Sequence, residues 1–326
     1  MKVFAMFKHF FTGCAMACGA LAALPVAAQT YPTQAVKIIV GFPPGGTTDV
    51  IGRLLAQGLS EALGKSFVVD NRGGASGTIG AGIVAKSEPD GHTLLVVSST
   101  HGTAPTLYAS LPYQEKDLVP VALVASTPYV FVVHPEVKVE TFAQLLALLK
   151  QNPGKYNFAS SSPGTAQHLG GELVKRAAGV DMVHVPYKGS GALMPDLLSG
   201  RVQMMFENVA IMTPHIRKGS LRPLAVSSAK RTLLMPEVPT VAESGVPGFE
   251  VLGWFALLAP AGTPAEVVRV LNAEVNKMIV KPAYVQRFAG LGAEPLASTP
   301  LETAAFIRAE QDKWGRVIRE VGIKAE

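Results

Sequence analysis

Gly41-Phe42-Pro43-Pro44-Gly45-Gly46-Thr47-Thr48-Asp49 is the stretch that decides the fold. It joins an apolar, strand-like run at 36–40 to a run whose apolar residues recur with helical spacing, so it predicts a glycine-rich turn from a strand into a helix. The first backbone N–H groups of such a helix have no partner within the helix, and they lie at the positive end of its dipole. A turn of this kind is therefore a candidate anion site.

Three later turns repeat this arrangement of a strand, small residues and a helix. They are Asn71-Arg72-Gly73-Gly74-Ala75-Ser76-Gly77, Ser160-Ser161-Ser162-Pro163-Gly164-Thr165 and Pro186-Tyr187-Lys188-Gly189-Ser190-Gly191. Four such turns in one chain indicate a protein that binds a small anionic molecule. The glycines do not form a nucleotide-binding fingerprint, because Gly74, Gly77 and Gly80 are spaced by threes.

The N-terminus has the pattern of a secretory signal peptide. Lys2 and Lys8 precede an apolar stretch at 10–24, and Pro25-Val26-Ala27-Ala28 places small residues before a cleavage point. We therefore predict a signal peptide at residues 1–28 that is cleaved after Ala28. An uncleaved membrane anchor is the alternative.

The composition argues against several classes of protein. The two cysteines, Cys14 and Cys18, both lie in the predicted signal peptide, so disulfides, thiolate catalysis and cysteine metal sites are excluded from the mature chain. The net charge of +5 is scattered, without blocks of like charge or an aromatic ladder, which predicts no nucleic-acid partner. The histidines lack the spacing of paired metal ligands. We predict neither a metal site nor a cofactor.

The pattern along the chain predicts the fold class. Strand-like and helix-like runs alternate for most of the length, which indicates α/β layers with largely parallel sheets. The apolar runs at 118–124 and 129–133 are separated by Ser126-Thr127-Pro128. Two helices near the C-terminus are predicted to start alike, with a threonine cap, a proline and a glutamate, at Thr263-Pro264-Ala265-Glu266 and Thr299-Pro300-Leu301-Glu302. Two α/β blocks with a helical return indicate a bilobed protein.

Several motifs together resemble the Bug family, the extracytoplasmic substrate-binding proteins of tripartite tricarboxylate transporters. Besides the first two turns, the motifs are His184-Val185-Pro186-Tyr187-Lys188-Gly189, Ala259-Pro260-Ala261-Gly262-Thr263-Pro264, Val238-Pro239-Thr240 and Trp254. The resemblance covers essentially the whole mature chain. It implies a periplasmic binding protein of type II (a Venus flytrap), with two α/β lobes and a ligand cleft between them. We expect lobe 1 at 29–125 plus 250–326 and lobe 2 at 126–249.

The resemblance also implies which residues line the cleft. The expected ligand-binding residues are Phe42, Gly45, Thr47, Asn71, Ala75, Ser76 and Gly77 from lobe 1, and Ser161, Gly164, Thr165, His168, Tyr187, Lys188, Gly189 and Glu207 from lobe 2. Glu207-Asn208 stands where the family often has Asp-Asn. The residue that contacts the far end of the ligand and determines specificity is therefore not decided by the resemblance. His168 is expected to be a hydrogen-bonding wall of the cleft, and Asp49 to stabilise the first turn of its helix.

The function that follows is the capture of a small carboxylate in the periplasm and its delivery to the membrane subunits of a tripartite tricarboxylate-type transporter. We expect a monomer that is not an enzyme and has no catalytic residues. Two alternatives stay open: a receptor that presents its ligand to a sensor kinase, and a secreted hydrolase that uses Ser161 and His168. The second lacks a Gly-x-Ser-x-Gly elbow, because residue 160 is serine. The ligand itself is not determined, since backbone amides bind any carboxylate.

Overall fold

The computed structural model describes residues 31–161, 164–187 and 190–322. The predicted signal peptide at 1–28 lies outside the described residues, as do Lys188 and Gly189. None of the helices in the described part of the chain has the length and apolar character needed to cross a membrane.

Strands and helices alternate through the first two thirds of the described chain. The strands are β1 (Val36–Val40), β2 (Phe67–Asn71), β3 (Thr93–Ser98), β4 (Leu118–Val133), β5 (Asn157–Ser160), β6 (Val183–Pro186), β7 (Met204–Asn208), β8 (Arg222–Val226), β9 (Leu252–Pro260) and β10 (Glu294–Pro295). The helices are α1 (Thr47–Leu63), α2 (Thr78–Ala85), α3 (Thr100–Leu107), α4 (Phe142–Gln151), α5 (Ala166–Ala178), α6 (Ser190–Leu198), α7 (Val209–Arg217), α8 (Ala265–Ile279), α9 (Pro282–Gly290) and α10 (Pro300–Val321). This order confirms the predicted α/β class.

The strands form two sheets that share β4. The first sheet has the order β2-β1-β3-β9-β4 with β10 on the far side of β4, and the second has the order β4-β7-β5-β6 with β8 also paired to β4. Pairs of β1 with β2 and β3, and of β5 with β6 and β7, are parallel. The sheets are more mixed than predicted, because every pair made by β4 and β9 is antiparallel.

The two predicted apolar runs at 118–124 and 129–133 form one strand, because the chain stays extended through Pro128. Pro128 pairs with Leu252, the first residue of β9, at the last position of the β4–β9 ladder, and Tyr129 pairs with Asn208 of the second sheet. The proline has no N–H to donate, and it lies where β4 changes partners, so it interrupts neither ladder. The lobe boundaries given above stay a prediction, and this junction lies close to residue 126.

Separate apolar clusters pack on the two sheets, and the helix α10 contributes residues to clusters on both sheets. Ile38, Leu55 and Phe288 belong to a cluster on the first sheet. In α10, Ile307 packs in another cluster of the first sheet, whereas Trp314 and Ile318 pack with the second sheet. The predicted candidate turns follow β1, β2, β5 and β6, at the carboxyl ends of parallel strands, where open α/β sheets bind ligands.

Candidate ligand-binding site

The first turn leads from β1 into α1 and leaves the start of the helix uncapped by a side chain. Its N-cap residue is Gly46, so the first backbone N–H groups face away from the helix without a side-chain acceptor at the cap. Gly45 has a φ of 87°, a conformation that glycine adopts without steric cost. Phe42 and Thr47 lie at the two ends of this turn. The geometry is that of a helix N-terminus open to an anion.

Asp49 holds this turn against the end of β2. Its carboxylate accepts hydrogen bonds from the backbone N–H of Gly45 (2.9 Å), from Arg53 Nε (3.0 Å) and from Asn71 Nδ2 (2.9 Å). Burial raises the pKa of Asp49, but the hydrogen bonds from Arg53, Gly45 and Asn71 outweigh it and leave the pKa below its usual value. Asp49 therefore does more than stabilise the first turn of its own helix.

Asn71, predicted to contact ligand, is placed where its amide supports the first turn. Its Nδ2 donates to the carbonyl oxygen of Phe42 (3.0 Å) as well as to Asp49, and its Oδ1 accepts from Arg53 Nη2 (3.2 Å). These bonds account for both hydrogens of the amide nitrogen. Asn71 thus supports the first turn, and its contact with a ligand stays a prediction.

The second turn is backbone in the left-handed region over four consecutive residues. The φ angles of Gly74, Ala75, Ser76 and Gly77 are 137°, 45°, 54° and 93°. A non-glycine residue in this region costs roughly 1–2 kcal/mol. Hydrogen bonds from Thr78 Oγ1 to the Ala75 oxygen (2.9 Å) and from Thr100 Oγ1 to the Ser76 oxygen (3.0 Å) hold the strained segment in place. Strain of this kind is characteristic of functional sites.

A further turn, between β3 and α3, was missed by the sequence analysis. Ser98 Oγ lies 3.1 Å from Thr100 Oγ1, and Thr100 lines two cavities. One, of about 10 Å³, also contacts Phe42, Ser76 and Gly77. The turn contains no glycine, whereas the predicted turns were recognised by their glycines. The signal that was available is a run of three hydroxyl residues at 98–100 between an apolar strand and a helix.

The second cavity is lined by turns that follow strands of both sheets. It has a volume of about 20 Å³ and is lined by Ser99 and Thr100 at the start of α3 and by Gly164 and Thr165 at the start of α5. The rest of its lining is formed by Thr103, Ala166, Leu169, Leu252 and Trp314 of α10. Thr165 is the N-cap residue of α5. The N-terminus of α3, which follows β3 of the first sheet, and that of α5, which follows β5 of the second sheet, thus meet at one cavity.

His168 supports the turn before α5 from within the protein. Its Nδ1 accepts the backbone N–H of Gly164 (3.0 Å), and its ring stacks on His184 with 3.7 Å between centroids. The hydroxyl of Ser160 lies 2.7 Å from His184 Nε2. Burial first, then His184 and Lys175, lowers the pKa of His168 to about 4, and burial with Lys175 lowers that of His184 to about 4. Both rings are therefore neutral at pH 7.

Ser161 is hydrogen-bonded to an amide and is not paired with His168. Its Oγ donates to Gln167 Oε1 (3.0 Å), and Gln167 Nε2 donates to Glu207 Oε2 (3.2 Å). Glu207 is 3% exposed, and its Oε1 accepts the backbone N–H of Asn208 (2.7 Å). An amide oxygen does not take up a proton at neutral pH, so this arrangement does not activate Ser161 as a nucleophile.

Tyr187 lies at the end of β6, half-buried. Its backbone N–H donates to the Ser160 oxygen (2.9 Å) and its hydroxyl donates to Asp196 Oδ2 (2.8 Å). Burial, followed by the hydrogen bond and charge of Asp196, raises the pKa of Tyr187. The structure thus describes every predicted site residue except Lys188 and Gly189.

Known proteins are similar to this chain in sequence and in fold. The sequence model of the tripartite tricarboxylate transporter family receptor, TctC, matches residues 51–323. Protein BugT of Bordetella pertussis is 43% identical over 305 residues, which make up 93% of this chain and 94% of BugT. A solved structure of an R. palustris protein with adipate is 38% identical with a TM-score of 0.75, covering 90% of this chain and 99% of that one. MatC from Rhodopseudomonas palustris, with bound malate, is 30% identical with a TM-score of 0.69, covering 88% and 100%.

Proposed function

Because the chain belongs to the family of tripartite tricarboxylate transporter receptors, we propose that it captures a small carboxylate in the periplasm and delivers it to the membrane subunits of such a transporter. The observation that carries the proposal is that the start of α3 and the start of α5 meet, at a cavity with room for about one water. Two helix N-termini together favour a bound negative charge. The adipate and malate found with two similar proteins support a carboxylate as that charge.

The carboxylate is held by backbone N–H groups and hydroxyls. The turns at 41–49, 98–100, 160–165 and 186–191 contain no arginine. Arg72, in the turn after β2, pairs with Asp70 at 3.0 Å and is largely exposed. We assign direct contacts with the ligand to twelve of the predicted residues and add Ser99 and Thr100 to them: Phe42, Gly45, Thr47, Ala75, Ser76, Gly77, Ser99, Thr100, Ser161, Gly164, Thr165, Tyr187, Lys188 and Gly189. Asn71, His168 and Glu207 position the turns.

Binding closes the cleft between two lobes, 29–125 with 250–326 and 126–249. Among the described residues, the strands of the two sheets are joined through β4, where Pro128 and Tyr129 change partners, and α10 contacts both sheets. Few crossings of this kind allow a hinge motion whose equilibrium the ligand shifts. The protein acts as a monomer without catalysis, after removal of the signal peptide at 1–28.

Calorimetric titration of the wild type and two variants with succinate, malate, adipate and citrate tests the proposal. Thr165→Ala removes a hydroxyl at the start of α5 and should weaken binding by about 1–3 kcal/mol, the range for a hydrogen bond to a charged group. Arg72→Ala is the control and should cost less than that. Normal binding by Thr165→Ala together with complete loss in Arg72→Ala would show that an arginine, and not the helix starts, holds the anion. Failure of every carboxylate to bind the wild type would refute the function.

A further inference from the structure

Three side chains at the start of α5 and on neighbouring elements form a chain of hydrogen bonds with one buried end and one partly exposed end. Glu207 is 3% exposed and Gln167 is 8% exposed, whereas Ser161 is partly exposed. The bonds run from Ser161 Oγ to Gln167 Oε1 (3.0 Å) and from Gln167 Nε2 to Glu207 Oε2 (3.2 Å). Ser161 directly follows β5 and lies three residues before Gly164, which lines the shared cavity.

The buried carboxylate fixes the direction of every bond in this chain. A carboxylate only accepts hydrogen bonds, so the group of Gln167 that faces Glu207 must be the NH₂. The amide oxygen of Gln167 then faces Ser161 and accepts the one hydrogen of its hydroxyl. What remains on Ser161 Oγ for the cleft is a pair of acceptor sites.

We propose that the Glu207–Gln167–Ser161 chain makes Ser161 a hydrogen-bond acceptor towards the ligand, so that the site prefers a carboxylate carrying a hydroxyl or an ammonium group next to it. This inference rests on the proposed function, because it concerns the chemistry of the same carboxylate. The helix starts hold the anionic group, and Ser161 accepts from the neighbouring donor. An unsubstituted acid has only C–H groups to place opposite the acceptor sites of Ser161. A second carboxylate oxygen at that position would be repelled by Ser161 Oγ.

Negative charge near Ser161 acts in the same direction. Burial raises the pKa of Tyr129, and the charge of the nearby Glu207 raises it further. The same charge, transmitted through the polarised amide of Gln167, makes Ser161 Oγ a better acceptor. Ser161 is therefore a specificity-determining contact, with Gln167 and Glu207 as its positioning residues.

The substitution Glu207→Gln should reverse the chain. The backbone N–H of Asn208, 2.7 Å from Glu207 Oε1, keeps a carbonyl oxygen opposite it, and the new NH₂ takes the place of Oε2. Gln167 must then turn its amide oxygen towards that NH₂ and offers its own NH₂ to Ser161. The hydroxyl hydrogen of Ser161 is released to the cleft, where it donates to a carboxylate. The variant should therefore disfavour the ammonium acid, because an ammonium group has no acceptor for this hydrogen, whereas the hydroxyl of a hydroxy acid accepts it.

Calorimetry with matched probes measures this preference as a ratio. The probes are succinate, malate and aspartate, and glutarate, 2-hydroxyglutarate and glutamate, which within each set differ only beside one carboxylate. In the wild type the substituted acids should bind about three- to ten-fold more tightly than the unsubstituted acid, as expected for one hydrogen bond. Glu207→Gln should bring the ratio below one for the ammonium acids while the hydroxy acids keep a ratio above one, and Ser161→Ala should bring both ratios close to one. A merely structural role of Glu207 would weaken all probes alike and leave the ratio as it is.

A second glutamine–glutamate pair of the same chemistry provides the control. On α1, Gln57 Nε2 donates to Glu61 Oε1 (2.8 Å), exposed and remote from the turns, so Glu61→Gln should keep the wild-type ratio. Carboxylates that bind without any preference for substituted acids, or an unchanged ratio in both Ser161→Ala and Glu207→Gln, would overturn the inference and leave the proposed function standing. Binding of no carboxylate at all would refute the proposed function, and the inference with it.

Discussion

At the scale of single residues, Asp49 joins two turns that the chain places 22 positions apart. Its carboxylate binds the backbone of Gly45 and the side chains of Arg53 and Asn71. Asp49→Asn puts an NH₂ group among these donors, so it should lower the free energy of unfolding at pH 7 by about 1–3 kcal/mol. Because the pKa of Asp49 is lowered in the folded protein, this contribution is present above about pH 4 and is lost as the pH falls further.

Urea denaturation at pH 7 and at lower pH measures both effects. Asp70→Asn is the matched control: Asp70 pairs with Arg72 on the surface, so its loss should cost less than about 1 kcal/mol. Equal effects of the two substitutions would mean that the buried network does not hold the turns.

At the scale of secondary structure, α5 depends on two neutral histidines. The pKa values of His168 and His184 are lowered to about 4, whereas an unfolded chain has histidines near 6.5. Between about pH 6.5 and pH 4 the unfolded state binds protons that the folded state excludes, so stability should fall as the pH decreases through this window. Protonation of His168 would also remove the acceptor of the Gly164 N–H.

His168→Asn and His184→Asn should each flatten the dependence of the unfolding midpoint on pH over that window, and the double variant should flatten it most. Asparagine at 168 keeps an acceptor for Gly164 but does not titrate, so the helix start is retained. Urea denaturation at pH 7, 6, 5 and 4.5 measures the slope. Variants that keep the full wild-type slope would contradict this account of the histidine pair.

The helix starts show which features a sequence can predict. The threonine cap and glutamate box at Thr299 are confirmed, because Glu302 N–H donates to the threonine. The prediction of the same cap at Thr263 is wrong. The Thr263 hydroxyl donates to the Pro260 oxygen (2.7 Å), and the helix begins after Pro264. A preceding tight turn thus competed successfully for the hydroxyl. The glycine-rich turns were predictable because their positive φ angles are a local requirement.

The parts of the site that escaped prediction are long-range contacts. Ser99 and Thr100 belong to the candidate site only because folding places α3 opposite α5, and nothing in their local sequence gives that partner. The position of Asn71 against Phe42 and Asp49 is likewise a contact between two strand ends. Sequence patterns predicted most strands and helices, whereas these roles follow from the packing of the sheets.

At the scale of the whole molecule, α10 links the two sheets through a buried carboxylate. Glu310 accepts from Trp254 Nε1 (3.1 Å) and from Trp314 Nε1 (2.8 Å). Trp254 is fully buried within a cluster of the first sheet. Trp314 packs with the second sheet and lines the cavity shared by Thr100 and Thr165. Of these two tryptophans, Trp314 is the one that lines the cavity, so we expect it to report a change in the cleft.

Lobe closure should be visible both in the shape of the protein and in one tryptophan. Small-angle scattering with a saturating carboxylate should give a smaller radius of gyration than without it. The fluorescence change on binding should persist in Trp254→Phe and disappear in Trp314→Phe, because only Trp314 lies at the cavity. If the radius of gyration stays constant at saturation, the two sheets do not move relative to each other and α10 holds them in a fixed arrangement. If the radius falls while the signal follows Trp254, closure is transmitted through the first sheet and not through the cavity between α3 and α5.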